Sequence, residues 1–162
     1  MKTTFHDNRV ISMVQAALIA AIYITLTLIF APISYGPIQF RISEALTVLP
    51  YFTPSSVPGL TLGCLIANIL LGSPLPDVVF GTLATLIGAV LSRMLRKHKF
   101  LVCVPPILCN ALIIPWVLKF AYGAKDLVPF MMLTVGAGEV LAVGVLGNIL
   151  LLALERSRVL SK

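Results

Sequence analysis

Six hydrophobic stretches separated by short loops fill almost the whole of this 162-residue chain. Hydrophobic residues make up 59% of the sequence and charged residues only 11%, whereas about a quarter of the residues in soluble domains are charged. A single globular core cannot hide that much apolar surface, so we infer that a lipid bilayer is the solvent of this chain. Backbone groups in lipid have to be paired internally, which predicts closely packed helices.

The hydrophobic stretches predict an all-α membrane protein, a compact bundle of six transmembrane helices, because a helix needs about 20 apolar residues to cross the hydrocarbon. The predicted helices cover Val10–Ala31, Ile42–Phe52, Val57–Leu71, Val78–Leu95, Phe100–Phe120 and Leu127–Leu154. Helices two and three are short and interrupted by prolines, so a tilted or partly re-entrant hairpin is the alternative. No repeat or domain-sized linker divides the sequence, and residues 1–162 are expected to form one domain.

The distribution of cations predicts how the helices are oriented. With the N-terminus in the cytoplasm, nine cations lie on the inner side and three on the outer side, which is a strong positive-inside bias. The inner set is Lys2, Arg9, Arg93, Arg96, Lys97, Lys99, Arg156, Arg158 and Lys162, and the outer set is Arg41, Lys119 and Lys125. We therefore expect a multi-pass protein of the cell membrane with both termini in the cytoplasm. Since the cations belong to these flanks, nucleic acid is not an expected partner.

Several polar residues then lie toward the outer half of the bundle and predict a pocket that opens outward. Glu139 lies deep in helix six, where an ionisable group usually marks function; a structural bond or a protonated acid is the alternative. Asn68 and Asn110 offer donors and acceptors to a ligand, although amides of membrane helices often bond to one another. Arg41 and Glu44 are three residues apart and either pair with each other or line the pocket.

Three further residues lie near the outer loops. Asp77 precedes the fourth predicted helix, and capping of the helix N-terminus is its expected role. Tyr35 and Trp116 lie near the outer interface, where aromatic belts form. A flat ring beside a pocket is also placed to stack on a planar ligand.

Alanines four residues apart occur twice in the first predicted helix, as Ala16 with Ala20 and as Ala17 with Ala21. Small residues at this spacing let another helix approach closely. Glycines on helices three and four are expected to form the internal packing faces, which leaves helix one for a partner. Packing within this chain is the alternative.

The sequence lacks the motifs of several catalytic classes. It contains no phosphate-binding loop, its two histidines lie in charged flanks, and its three cysteines have no metal-ligand spacing. We therefore expect neither an enzyme nor a bound metal or cofactor, and the simplest function is binding of a small molecule in the membrane. An independent small-solute channel or carrier is the first alternative, and a membrane enzyme is the second.

The stretch from Tyr35 to Pro50, YGPIQFRISEALTVLP, together with the alanine-rich first helix, resembles the QueT family of substrate-binding S components of energy-coupling factor (ECF) transporters. The resemblance in length and helix count covers nearly the whole chain. It implies capture of a queuosine precursor, a 7-deazaguanine-type base, from outside the cell. It also implies a transmembrane coupling subunit and two cytoplasmic ATPases as partners, with the alanine surface of helix one facing the coupling subunit.

The chemistry of such a base suggests a role for each polar residue, although the resemblance assigns no individual contact. Adjacent N–H donors of a guanine-like base suit one carboxylate, so we expect Glu139 at its Watson–Crick edge. Asn110 and Asn68 are expected to address the carbonyl group and the ring nitrogen. The other expected site residues, which line or close the pocket or stack on the ligand, are Arg41, Glu44, Tyr35, Gln39 and Trp116. The exact precursor stays open.

Overall fold

Six helices follow one another along the chain in the computed structural model, which describes residues 3–34 and 40–157. In chain order they are α1 (Thr3–Ile29), α2 (Ile42–Tyr51), α3 (Ser56–Leu70), α4 (Leu75–Met94), α5 (Val104–Ala121) and α6 (Val128–Ser157). A single helical turn follows α1 at Ala31–Ser34, and a 3₁₀ turn precedes α5 at Lys99–Cys103. The predicted helix count and approximate helix positions are confirmed.

Four of the six helices, α1, α4, α5 with its preceding turn, and α6, are long and apolar enough to cross a membrane. The 15 residues of α3 extend about 22 Å at 1.5 Å per residue. The ten residues of α2 form a 3₁₀ helix of about 20 Å. Both are shorter than the hydrocarbon layer of about 30 Å, so four of the six helices are long enough for a full crossing. The prediction that helices two and three are short is confirmed.

The 3₁₀ helix α2 lies inside the bundle, where it contacts α1, α3, α4 and α6. All eight residues from Ser43 to Pro50 are buried. The Arg93 guanidinium of α4 donates hydrogen bonds to the carbonyl oxygens of Pro50 at 2.9 Å and Tyr51 at 3.3 Å. A cation is favourable at a helix C-terminus, where carbonyl groups lack intrahelical partners. Arg93 therefore secures one end of a largely buried helix.

Helices α1 and α3 pack through small residues. A Cβ atom placed on Gly59 would lie 2.7 Å from the carbonyl oxygen of Ala16, and one on Gly63 would lie 3.2 Å from the Cα atom of Ala20. Only glycine permits this backbone approach. The first alanine pair thus packs within the chain, which corrects the expectation that all four alanines are left for a partner. The two that remain exposed are Ala17 and Ala21.

The two ends of the bundle differ in chemistry. At one end, Arg41 and Asp77 form a buried ion pair. At the other end, Lys99 forms an exposed ion pair with Glu155, beside the cationic segment that connects α4 to α5. Between the ends, large apolar side chains such as Leu18, Leu83 and Leu133 are exposed, as expected of a surface in contact with lipid.

Candidate functional site

A layer of buried polar side chains crosses the half of the bundle that contains Arg41. Each of the six helices contributes to it, and each contributing side chain is less than one-tenth exposed. We call this set the polar layer; its principal members are Tyr23, Arg41, Glu44, Asn68, Asp77, Asn110 and Glu139. Buried polar groups are normally fully hydrogen-bonded, so any unpaired atom in the polar layer needs an explanation.

Glu139 faces Asn110 across the interface between α5 and α6. The Asn110 amide nitrogen donates to Oε1 of Glu139 at 3.0 Å. Oε2 of Glu139 is buried and has no hydrogen-bond partner among the described residues. Directly after Glu139, residues Val140–Gly147 form a π-helical segment within α6, a geometry that is rare and frequently occurs at functional sites.

Glu44 of α2 is a second acid next to Glu139. One of its oxygens accepts a hydrogen bond from the Tyr23 hydroxyl of α1, and the other is buried without a partner in the described part of the chain. Glu44 lies close enough to Glu139 for electrostatic interaction. Each of the two acids therefore has one hydrogen-bonded oxygen and one available acceptor oxygen.

Asp77 provides the third carboxyl group of the polar layer. Its Oδ2 atom lies 3.7 Å from the Arg41 guanidinium and accepts a hydrogen bond of 2.6 Å from the Tyr122 hydroxyl. Its Oδ1 atom is buried and unpartnered within residues 3–34 and 40–157. The N-cap of α4 is Pro74, and Asp77 lies inside the helix. The expectation that Asp77 caps the helix is therefore wrong.

Oδ1 of Asp77 and the amide of Asn68 both lie next to Gly81. A Cβ atom placed on Gly81 would lie 3.2 Å from Oδ1 of Asp77 and 3.3 Å from Nδ2 of Asn68. The Asn68 amide nitrogen also makes a long contact of 3.6 Å to the Cys64 sulfur. Both distances from the Cβ position on Gly81 are shorter than ordinary van der Waals contacts, so glycine at position 81 allows the Asp77 carboxylate and the Asn68 amide to pack closely against this part of α4.

The structure thus brings together five of the predicted site residues, which are Arg41, Glu44, Asn68, Asn110 and Glu139. Tyr35 and Gln39 lie outside the described residues. Two members of the polar layer, Tyr23 and Asp77, were not among the predicted site residues. For Tyr23 the available signal was a hydroxyl on the inner face of an otherwise apolar helix.

Trp116 lies away from the polar layer. Its ring is half-exposed and stacks on Phe120 at a centroid distance of 6.1 Å. Both rings line an apolar groove of about 360 Å³ on the surface between α4 and α5. The polar layer has the donors and acceptors that a ligand requires, and this groove is almost wholly apolar. The expectation that Trp116 stacks on a ligand in the polar site is therefore not supported by its position.

Comparison with known proteins identifies relatives of the chain. The profile of the family described as "QueT transporter" matches residues 13–156. A curated protein of Lactococcus lactis subsp. cremoris, "Queuosine precursor transporter QueT", is 38% identical over 90 residues, which are 54% of this chain and 53% of the relative. The chain therefore aligns with about half the length of that relative. No solved structure matches significantly. The family and the relative are transporters, not enzymes.

Proposed function

We propose, on the premise that this chain belongs to the QueT transporter family, that it is the substrate-binding S component of an ECF-type transporter. In this function it captures a queuosine precursor of the 7-deazaguanine type at the outer face of the cell membrane. The observation that carries the proposal is the polar layer, in which three buried carboxyl groups each keep one unpartnered oxygen among the described residues. Such oxygens suit a ligand that is rich in N–H donors.

The chemistry of the base matches the acceptors of the polar layer. Glu139 accepts the adjacent N–H donors of the Watson–Crick edge, and Asn110 and Asn68 address the carbonyl group and the ring nitrogen. Charge-assisted hydrogen bonds are the strong ones. A site with buried polar groups also rejects analogues that leave those groups unpaired. The polar layer therefore supports both affinity and discrimination.

A binding screen tests this function directly. We expect the purified chain to bind 7-deazaguanines in isothermal titration calorimetry and not to bind unrelated vitamins. Uptake is expected only when a coupling subunit and two ATPases are present with ATP. Flux through the chain alone in liposomes would favour an independent channel or carrier, and a chemically altered ligand would favour a membrane enzyme.

The proposed arrangement has six membrane-embedded segments, with both termini in the cytoplasm and Arg41 toward the outside. The nine-to-three distribution of cations supports it. Single cysteines at Lys97 and Lys125, in a variant whose three native cysteines are replaced by serine or alanine, test the orientation. A membrane-impermeant maleimide added to intact cells should label position 125 and not position 97. Labelling of position 97 alone would reverse the topology and close the site to external substrate.

The exposed alanine face of α1 is the proposed contact with the coupling subunit. Ala17 and Ala21 are exposed beside Val14 and Leu18. This face borders an apolar groove of about 360 Å³ between α1, α2 and α6, to which Leu18 also contributes. A continuous apolar surface with small residues suits a closely packed partner helix.

Two leucine substitutions on α1 separate the partner face from internal packing. Ala17→Leu places a bulky side chain on the exposed face, so it should weaken capture of the coupling subunit while the isolated chain still binds its ligand. Ala20→Leu, the matched control, places the same side chain against Gly63 and should lower the thermal unfolding midpoint. Co-purification, calorimetry and thermal unfolding measure the three properties. Unchanged co-purification of the Ala17→Leu chain would remove this face from the interface.

A further inference from the structure

An apolar groove of about 360 Å³ runs along the lipid-facing surface between α4 and α5, and we call it the Trp116 groove. Its lining includes Phe80 of α4 and Leu112, Trp116 and Phe120 of α5. Each of these four side chains is about half-exposed or more. None of them belongs to the polar layer, so the groove has no part in the function proposed above.

The length of the Trp116 groove corresponds to one leaflet of a bilayer. Along α5 its lining extends from Leu112 to Phe120, and eight residues at 1.5 Å each give about 12 Å. Half of a hydrocarbon layer of about 30 Å is about 15 Å. Phe120 lies at the same end of the bundle as Asp77 and Tyr122, which is the outer end in the proposed orientation. The groove is therefore placed beside the acyl chains of the outer leaflet.

The walls of the Trp116 groove suit a flexible hydrocarbon chain better than a helix. The Trp116 and Phe120 rings are nearly parallel, with an angle of 10° and centroids 6.1 Å apart. Close helix packing relies on small residues, as where Gly59 and Gly63 meet α1. The described lining of the groove contains neither glycine nor alanine. A groove of about 12 Å is also too short to hold a helix that spans the membrane.

A lysine lies next to the outer end of the Trp116 groove. Lys119 directly precedes Phe120 and follows Trp116 by three residues, and positions three apart are neighbours on a helix surface. Its side chain is exposed and forms no ion pair within residues 3–34 and 40–157. The stem of a lysine can lie along apolar surface while its ammonium group reaches the headgroup region. Lys119 is therefore placed to meet the headgroup of a lipid whose chain occupies the groove.

The acids near this end do not oppose an anionic headgroup. The carboxyl group of Asp77 is buried against Arg41. Asp126 is the exposed acid of this end in the described part of the chain, and it adjoins the equally exposed Lys125. Lys119 therefore keeps a positive charge that no adjacent acid offsets among the described residues. A headgroup with net negative charge complements it.

We propose that the Trp116 groove binds one acyl chain of an anionic phospholipid, with the phosphate of the headgroup at Lys119. Lysines near a membrane surface attract anionic lipids, and the aromatic walls hold the chain through apolar contact. Binding at this groove is independent of the ligand in the polar layer. The proposed orientation only decides which leaflet supplies the lipid.

Trp116 is the only tryptophan of the chain, so its fluorescence measures occupancy of the groove directly. The full chain is reconstituted in mixed bilayers of phosphatidylglycerol and phosphatidylcholine, with bromine on the acyl chains of one lipid or the other, because bromine quenches tryptophan on contact. We expect phosphatidylglycerol to be preferred about fivefold, which is the factor contributed by one cation near a membrane surface. Equal quenching by the two lipids would overturn the proposal. Quenching by neither would also overturn it, since protein, such as a second copy of the chain, would then cover the groove.

A pair of lysine variants tests the headgroup contact. Lys119→Gln removes the charge beside the groove and should reduce the preference for phosphatidylglycerol to about twofold or less. Lys97→Gln, the matched control, removes an exposed lysine at the opposite end of the bundle and should leave the preference at Trp116 unchanged. If the preference persists in the Lys119→Gln chain, the headgroup is not bound there and the proposal is wrong.

A pair of isoleucine variants tests the groove itself by a measurement that does not use tryptophan. Ile113 lines the groove, so Ile113→Phe should fill part of it. Retention of phosphatidylglycerol by the purified chain in native mass spectrometry should then fall about fivefold, because extra atoms in an occupied apolar site are unfavourable. Ile69→Phe makes the same change at an exposed position of α3 and should retain the lipid. Equal retention by the two variants would show that the lipid binds outside the Trp116 groove.

Discussion

Replacing Glu139 with glutamine is expected to lower the affinity for a 7-deazaguanine by about ten- to a hundredfold. Glutamine keeps the size of the side chain but presents an NH₂ group where the ligand needs an acceptor. A hydrogen bond to a charged group contributes about 1.5–3 kcal/mol, and each 1.4 kcal/mol is a factor of ten in affinity. Calorimetry on the purified chain, with 7-deazaguanine as the ligand, measures the change.

A matched substitution tests whether the loss of affinity is specific to the polar layer. Glu155→Gln makes the same chemical change in an exposed side chain at the opposite end of the bundle, where Glu155 pairs with Lys99. Its affinity for the base should equal that of the unmodified chain. If the Glu139→Gln chain is folded and binds the base as tightly as before, Glu139 serves only to hold Asn110, and the recognition scheme for the Watson–Crick edge is wrong.

Replacing Arg41 with methionine is expected to lower the stability of the folded chain far more than breaking the exposed ion pair between Lys99 and Glu155. Arg41 and Asp77 are 3.7 Å apart with side chains only 9% and 2% exposed. Removal of one partner leaves a buried charge uncompensated, which destabilises by about 3–5 kcal/mol. The thermal unfolding midpoint of the ligand-free chain should therefore fall by many degrees.

Two comparisons identify the ion pair as the cause. Lys99→Met breaks a pair whose side chains are 25% and 45% exposed, and exposed pairs contribute about 0–1 kcal/mol, so its midpoint should change little. Adding Asp77→Asn to Arg41→Met removes the stranded charge and should recover much of the loss. Equal midpoints for the Arg41→Met and Lys99→Met chains would mean that Asp77 does not depend on Arg41.

The helices could be predicted from the sequence because the signal for each is local. A hydrophobic run bounded by charges or prolines marks a membrane-embedded helix wherever it occurs. The 3₁₀ geometry of α2 could not be predicted in this way. It depends on burial against four neighbouring helices and on the Arg93 contact from 43 residues further along the chain.

The candidate site could be predicted only in part. Glu139 and Asn110 were identifiable because carboxylates and amides are rare in apolar helices, yet their mutual bond joins residues 29 positions apart. Asp77 was misassigned because an acid after prolines and before a hydrophobic run has the local pattern of a cap. Whether it caps α4 or binds Arg41 depends on tertiary contacts, which local patterns do not contain.

The spacing of alanines posed a similar difficulty. The pairs Ala16 with Ala20 and Ala17 with Ala21 have the same spacing in the sequence, but they lie on different faces of α1. Only the position of Gly59 and Gly63 on α3 decides that Ala16 and Ala20 pack inward. A motif for close helix approach therefore predicts contact without identifying the partner.

The π-helical segment of α6 sets the rotational phase of that helix. Glu139, Val143, Gly147 and Leu151 are all buried and are spaced four residues apart. In a regular α-helix each such step would advance about 40° around the axis, so three steps would turn Leu151 about 120° away from the side of Glu139. The turns of the π-helical segment compensate for this rotation, because each contains more residues than a turn of regular α-helix. The carboxylate of the polar layer and the apolar anchor near the opposite end can therefore face the same interior, and a return to regular α-helical geometry would rotate one of them toward lipid.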